Sequence, residues 1–303
     1  MTIKAFSGAA EFSETAPAKI NLALHVVGQR ADGYHLLETL VTFTDAGDRL
    51  FFATADEDHF SISGAFAAKL TDNDGLSDNL VLRARDLLRQ AVVASGQTAP
   101  PVALELEKNL PIASGIGGGS ADAAATLRGL LRFWSCTLPQ ATLDNIALSL
   151  GADVPMCFAG TPLMARGIGE ELTSLPELPT FAMVLANPLI GVSTPEIFRR
   201  LTIKNNPAIP TSLPQASGDW PAFVAGLRND LQAPAIAALP VISEVSQLLE
   251  EQGASLVRMS GSGATCFGLF SSFEAAQKAE TVLKDLRPDW YFQATMTKQE
   301  AQP

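Results

Sequence analysis

At 303 residues the chain is long enough for two domains of ordinary size or one large one, and 47% hydrophobic against 17% charged residues excludes both a disordered and a fibrous chain. Lys and Arg number 21 against 32 Asp and Glu, so a net charge of −11 repels nucleic acid and anionic lipid and argues against general polyanion binding. Cys136, Cys157 and Cys266 are widely spaced and form no CxxC pair, which fits a reducing, cytoplasmic compartment, and neither a signal peptide nor an apolar run of membrane-spanning length is evident.

Residues 19–27 alternate, with Ile20, Leu22, Leu24 and Val26 on one face and Lys19, Asn21 and His25 on the other. That period of two predicts a half-buried strand on which Lys19 and Asn21 share a face. Asp32-Gly33 marks a turn; Leu37, Thr39, Val41 and Phe43 resume the alternation until Asp45-Ala-Gly-Asp48 is expected to break it. Short strands are expected at 49–53 and 60–63, then a helix over 79–93 closed by Gly96.

Val102, Leu104 and Leu106 alternate with polar neighbours and lead into Pro111-Ile-Ala-Ser-Gly-Ile-Gly-Gly-Gly-Ser120, after which 121–133 carries Ala124, Leu127, Leu130 and Leu131 at helical spacing. A second helix, 142–150, should stop at Gly151, with Ala152-Asp-Val-Pro155 as a tight connection because the residue before proline avoids helical angles. A new domain is expected from 162, giving 1–161 and 162–303. Its elements are strands at 163–165 and 181–186, a helix from Ser193-Thr-Pro-Glu196 and a long mobile loop over 204–220. A helix at 240–251, two strands around Ser260-Gly-Ser-Gly-Ala-Thr265, a helix at 273–286 and a strand at 290–296 complete it.

Four glycines lie within residues 115–119, between strand and helix. Bare backbone lets successive amides approach an anion, and the helix behind adds about half a positive charge, so the segment reads as a phosphate cradle. A Walker A loop needs a lysine after its last glycine, and Ser120-Ala121 stands there instead; a dinucleotide fingerprint begun at Gly115 meets Ser120 where its third glycine belongs. No protein-kinase Asp-Phe-Gly or His-Arg-Asp triplet occurs.

Three separated segments, Pro17-Ala-Lys-Ile-Asn-Leu22, residues 111–125 and residues 260–265, resemble the small-molecule kinase superfamily of galactokinase, homoserine kinase, mevalonate kinase and phosphomevalonate kinase, the GHMP kinases. Gly28-Gln-Arg-Ala-Asp-Gly-Tyr-His35, Gly151-Ala-Asp-Val-Pro155 and Thr194-Pro-Glu-Ile-Phe198 resemble the branch of that superfamily acting on a cytidylated methylerythritol. The resemblance implies an α+β fold of two domains, an S5-like N-terminal domain with the glycine loop and a ferredoxin-like C-terminal one, with the active site in the cleft. It further implies ATP-dependent phosphorylation of a tertiary 2-hydroxyl in non-mevalonate isoprenoid precursor synthesis, in a monomer or homodimer with neither nucleic-acid nor membrane partner.

Asp153 would then be the base that takes the hydroxyl proton, and Lys19 the ammonium that keeps that carboxylate ionised and stabilises developing charge. Read locally, Asp153 is equally a turn residue and Lys19 a solvated strand end. For ATP the resemblance implies Pro111, Ile112, Ala113, Ser114, Gly115, Ile116, Gly117, Gly118, Gly119, Ser120 and Ala121, with Mg2+ near Ser120. For the acceptor it implies Asn21 as a group positioning the hydroxyl, Tyr34 and His35 on the cytosine side with Phe198 as the matching aromatic, and Thr194, Gly261, Ser262 and Gly263. Another superfamily activity, such as mevalonate or homoserine phosphorylation, and a non-catalytic nucleotide-binding module remain open from sequence alone.

Overall fold

The computed structural model describes residues 10–71, 78–215 and 218–298. In chain order the elements are β1 (Phe12–Gln29), β2 (His35–Thr54), β3 (His59–Ser63), α1 (Ala67–Thr71), α2 (Leu80–Ala94), β4 (Val102–Glu107), α3 (Gly118–Phe133), α4 (Gln140–Leu150), α5 (Val154–Ala159) and β5 (Leu163–Gly167). There follow β6 (Glu171–Ser174), β7 (Ala182–Asn187), α6 (Thr194–Arg199), α7 (Trp220–Ala225), α8 (Gln232–Ala238), α9 (Val241–Glu251), β8 (Leu256–Met259), β9 (Cys266–Phe270), α10 (Phe273–Leu286) and β10 (Tyr291–Met296). The chain divides into two compact units: residues 1–18, 47–112 and 118–159 form one, and residues 19–46, 113–117 and 160–303 the other.

In the first unit β4 pairs antiparallel with the second half of β2, Arg49 opposite Glu107, and parallel with β3. Helices α2 and α3 pack on each other. α2 starts where the Asn79 side chain accepts from the Val81 amide and ends before Gly96, whose φ of +80° suits a residue without Cβ. Gly129 in α3 is required by packing: a Cβ there would lie 2.1 Å from the Phe52 ring, so the bare helix face lets the aromatic core residue sit under it.

The second unit holds the antiparallel sheet β10-β7-β9-β8. In chain order its parts are strand, helices, two strands, helix, strand, the βαββαβ arrangement of ferredoxin-like folds. Its core joins Val184, Ala186, Cys266 and Phe292 of the sheet to Ile242, Val245 and Leu249 of α9 and Ala276 and Leu283 of α10. β5 pairs antiparallel with the first half of β2 and with β6.

Several expectations need correction. The Asp45–Asp48 stretch does not interrupt β2, which runs through it. Turn-forming residues sit there because a Cβ on Gly47 would meet the Ala16 carbonyl oxygen at 2.5 Å, and because Asp48 has buried partners of its own. β1 is not half-buried: it is covered on both faces from Ala16 to Val26. Pro155 does not prevent a helix, since it occupies the first turn of α5, where its missing amide costs nothing. The short elements β6, α7 and α8 carry no long periodic pattern and were not foreseen. Over 204–215 there is no regular element, yet the segment is fastened: the Asn206 amide donates to Val26 O at 3.0 Å, the Ile209 amide to Glu38 at 2.7 Å, and Ile209 is buried. Residues 216–217 lie outside the described residues, and α7 begins at Trp220.

Candidate active site

The first strand carries its polar residues into the interior of the second unit. Lys19 and Asn21 do share a face, and both are buried, with Lys19 Nζ donating to Asn21 Oδ1 at 3.0 Å. Asn21 Nδ2 donates to Thr39 Oγ1 at 2.7 Å, whose hydroxyl donates to Ala23 O, so the carboxamide has one orientation and its oxygen is left for the ammonium. The Lys19 amide donates to Ile116 O at 2.9 Å, and the Asn21 amide to Ser260 Oγ at 3.1 Å. Both glycine-containing loops therefore lie against this strand, which explains its burial on both faces.

Those two loops interlock. Ser260 Oγ donates to Gly115 O at 3.0 Å, and the Thr265 amide donates to Ser114 O at 3.1 Å. A Cβ on Gly115 would stand 2.5 Å from Ser260 O, and one on Gly261 2.7 Å from Gly115 O; both glycines also have positive φ, +78° and +55°. Here the glycines serve a close backbone crossing. Asn229 Nδ2 holds the second loop by donating to Met259 O and Gly261 O. Arg258, buried just before that loop, donates to Leu22 O, Val224 O and Leu227 O, tying β8 to β1 and to the end of α7. Burial lowers its pKa to about 10, which leaves it charged at neutral pH.

A second grouping in the same unit gathers acceptor candidates. His35 and Phe198 lie with ring centroids 4.9 Å apart, and Thr194 Oγ1 is 2.7 Å from Ser262 Oγ. Nε2 of His35 is buried without a hydrogen-bond partner. Burial, and after it the positive charge of Lys204, holds the imidazole below its ordinary value of 6.5, so the ring is neutral at pH 7. Tyr34 is 60% exposed, its backbone fixed by the Asp32 carboxylate, which accepts from its amide. Lys204 is fastened by donating to Gln29 Oε1 at 3.1 Å.

In the first unit the glycine run opens α3, whose initial amides have no carbonyl partner within the helix. Gly119 is exposed, Gly118 and Ser120 partly so. Asp153 sits in the three-residue connection between α4 and α5, half-buried, its carbonyl accepting from the Cys157 amide at 3.1 Å.

Sequence reasoning overlooked a buried charge cluster beneath that helix start. Lys108 Nζ donates to Asp48 Oδ2 at 2.5 Å and to Asp122 Oδ2 at 2.6 Å, all three side chains being nearly inaccessible. Asp48 Oδ1 also accepts from the Asn109 and Leu110 amides at 2.6 and 2.8 Å, pinning the chain as it enters the loop. A Cβ on Gly118 would lie 3.1 Å from Lys108 Nζ. Burial pushes the Asp122 carboxyl up to about 8: the Lys108 charge opposes this, and the Asp48 carboxylate reinforces it. Burial also works against the Lys108 ammonium, but the carboxylates of Asp122 and Asp48 outweigh it and raise its pKa. The one local signal was a lysine closing an alternating strand, directly before the loop.

Comparison with known proteins follows this geometry. Residues 79–161 match the family of GHMP kinases N terminal domains, and residues 209–288 that of GHMP kinases C terminal domains. The chain is 62% identical over 299 residues to the 4-diphosphocytidyl-2-C-methyl-D-erythritol kinase of Agrobacterium fabrum, covering 98% of this chain and 100% of that protein. It belongs to the 4-diphosphocytidyl-2-C-methyl-D-erythritol kinase family. The family member of Mesorhizobium japonicum is 49% identical, with 92% of this chain and 94% of that protein covered. A crystal structure of a 4-(cytidine 5'-diphospho)-2C-methyl-D-erythritol kinase superposes with a TM-score of 0.77 at 31% identity, over 94% of this chain and 99% of the other. A homoserine kinase from Cytophaga hutchinsonii, at 18% identity and a TM-score of 0.65, over 99% of this chain and 97% of that one, shares the fold alone. Among the described residues no helix is long and apolar enough to cross a membrane.

Proposed function

We propose that this chain transfers a phosphoryl group from ATP to the 2-hydroxyl of 4-diphosphocytidyl-2-C-methyl-D-erythritol, giving the 2-phosphate and ADP in non-mevalonate isoprenoid precursor synthesis. The observation that carries the acceptor is the His35–Phe198 ring pair with its buried, unpartnered Nε2, an arrangement that fits a base with hydrogen-bonding edges and a flat face. His35 addresses the base edge, Phe198 and Tyr34 its faces, and Thr194, Gly261, Ser262 and Gly263 border the acceptor.

The residues at the start of α3 fit a nucleotide: three glycines remove the side-chain bulk that would hold a phosphate away, and the first amides point along the helix axis. Pro111 to Ala121 receive the phosphate oxygens, and Ser120 is the side chain assigned to Mg2+, which neutralises triphosphate charge when bound. Asp153 accepts the 2-hydroxyl proton, and the Lys19 ammonium, oriented by Asn21, supplies positive charge to the reacting oxygen. We assign the nucleotide-holding half to residues 1–161 and the other to 162–303. An acidic chain with buried cysteines suits a cytoplasmic enzyme, monomer or homodimer, without nucleic-acid or membrane partners.

ADP release is to be followed with the cytidylated acceptor, mevalonate and homoserine in parallel. Turnover confined to the cytidylated acceptor supports the assignment; preference for either other alcohol, or no turnover, overturns it.

A further inference from the structure

Thr39, on β2, stands behind the two polar residues that β1 carries into the interior. Lys19 and Thr39 are 3% exposed and Asn21 2%, so the hydrogen bonds among them are made away from water. The Thr39 hydroxyl has one hydrogen, and it goes to Ala23 O at 2.6 Å; towards Asn21 its oxygen can therefore only accept. The Lys19 ammonium has hydrogens and no lone pair, so towards Asn21 it can only donate. Between an obligate acceptor at 2.7 Å and an obligate donor at 3.0 Å the carboxamide fits one way round, with Nδ2 on Thr39 and Oδ1 on Lys19. Turned over, it would set its oxygen against the Thr39 oxygen and its NH2 against the ammonium, and both buried bonds would be lost. As placed, the carboxamide keeps one hydrogen and one lone pair with which to address an acceptor hydroxyl.

We propose that Thr39 is a positioning residue for phosphoryl transfer: its hydroxyl fixes which end of the Asn21 carboxamide meets Lys19, and through that end where the ammonium stands. Thr39 itself touches neither the acceptor nor the nucleotide in this role, and it makes and breaks no bond. Without the hydroxyl, the side of the carboxamide facing β2 no longer prefers one orientation, and Lys19 loses an acceptor held in place. Thr39 follows His35 by four residues on β2, which sets it about 13 Å along the strand from the histidine that addresses the base. Its loss therefore acts on the chemical step, where small displacements of a charged group are costly, and leaves the grip on the base intact.

This inference rests on the roles proposed for Lys19 and Asn21, and the test separates the two. kcat and the KM values for ATP and the cytidylated acceptor are measured on the unsubstituted protein, Lys19→Ala, Thr39→Val, Thr39→Ser, Asn21→Asp and the double variant of Thr39→Val with Asn21→Asp. Valine keeps the shape and loses the hydroxyl, so kcat should fall about 10- to 100-fold with both KM values within about threefold of normal. Serine keeps the hydroxyl and should hold kcat within about threefold. The two ends of an aspartate are alike, so orientation no longer matters in Asn21→Asp, and adding Thr39→Val there should cost less than about twofold. A side chain that merely packed would lower activity alike in both backgrounds. Normal kcat in Thr39→Val, equal losses in Thr39→Val and Thr39→Ser, or a further loss of about tenfold in the double variant overturns the positioning role and leaves the Lys19 assignment standing. Full turnover by Lys19→Ala, or none by the unsubstituted protein, overturns both. Where Thr39→Val alone folds poorly, the Asn21→Asp background decides, because there the substitution removes a contact of oxygen against oxygen.

Discussion

The Ser260 hydroxyl donates to the Gly115 carbonyl across 145 positions of sequence, at 3.0 Å, while accepting from the Asn21 amide at 3.1 Å. One side chain thus connects the loop after β4, the loop after β8 and the strand that carries Lys19. The two glycine segments are one structural feature, and their glycines divide by purpose.

Gly115→Ala forces a Cβ to 2.5 Å from Ser260 O at a φ of +78°, and so should destabilise the protein by about 1–3 kcal/mol. Gly119→Ala meets only Leu80, at 3.6 Å, and should leave the melting temperature nearly unchanged while weakening ATP-analogue binding at the helix start. Thermal melts and binding titrations on both variants check this. Equal melting temperatures would contradict the crossing, and unaltered binding for Gly119→Ala would contradict the cradle.

For Asp153→Asn, loss of general-base action should lower turnover by roughly 10² to 10⁴ with ATP-analogue affinity retained. Single-turnover kinetics separate chemistry from binding. Turnover within a few-fold of normal would remove the proton-accepting role.

Phe198→Leu keeps an apolar side chain but loses the flat face beside His35. With base stacking worth about 1–3 kcal/mol, KM for the cytidylated acceptor should rise roughly 5- to 100-fold while KM for ATP stays constant. A change in the ATP constant alone would place Phe198 elsewhere in the mechanism.

How much of this could be read in advance differed by element. Long periodic stretches announced themselves: Val102–Glu107 alternates and α10 has both a Ser272 cap and a helical repeat, so β4 and α10 lie where spacing puts them. Lys19 and Asn21 share a face because a strand has period two, but their burial could not be read, since the loops that cover them arrive from 97 and 239 positions away. Asp45-Ala-Gly-Asp48 failed for the same reason: its turn-like residues answer to Ala16 and Lys108, neither adjacent in sequence. The glycine loop was visible from composition. The charged cluster under it was not, because three isolated residues at 48, 108 and 122 carry no periodic signal, and only the fold makes them one group.

That cluster also governs stability. The Asp122 carboxyl titrates near 8 in the folded chain against an ordinary 3.8, so between those values the unfolded chain holds it ionised and the folded chain holds it protonated. Folding therefore takes up a proton, and this contribution to stability shrinks as pH rises from about 4 to about 8, then levels off. Lys108, raised above 10.5, contributes stability that is intact throughout that window and lost only at higher pH. Asp122→Asn removes the first effect and spares the second. The melting temperature of the unsubstituted protein should fall between pH 6 and 8 by roughly 2–5 °C relative to the variant, with the two curves parallel above pH 9. Parallel curves across the whole range would mean that Asp122 is ionised in the folded chain, with two carboxylates and one ammonium left buried at a net charge of −1.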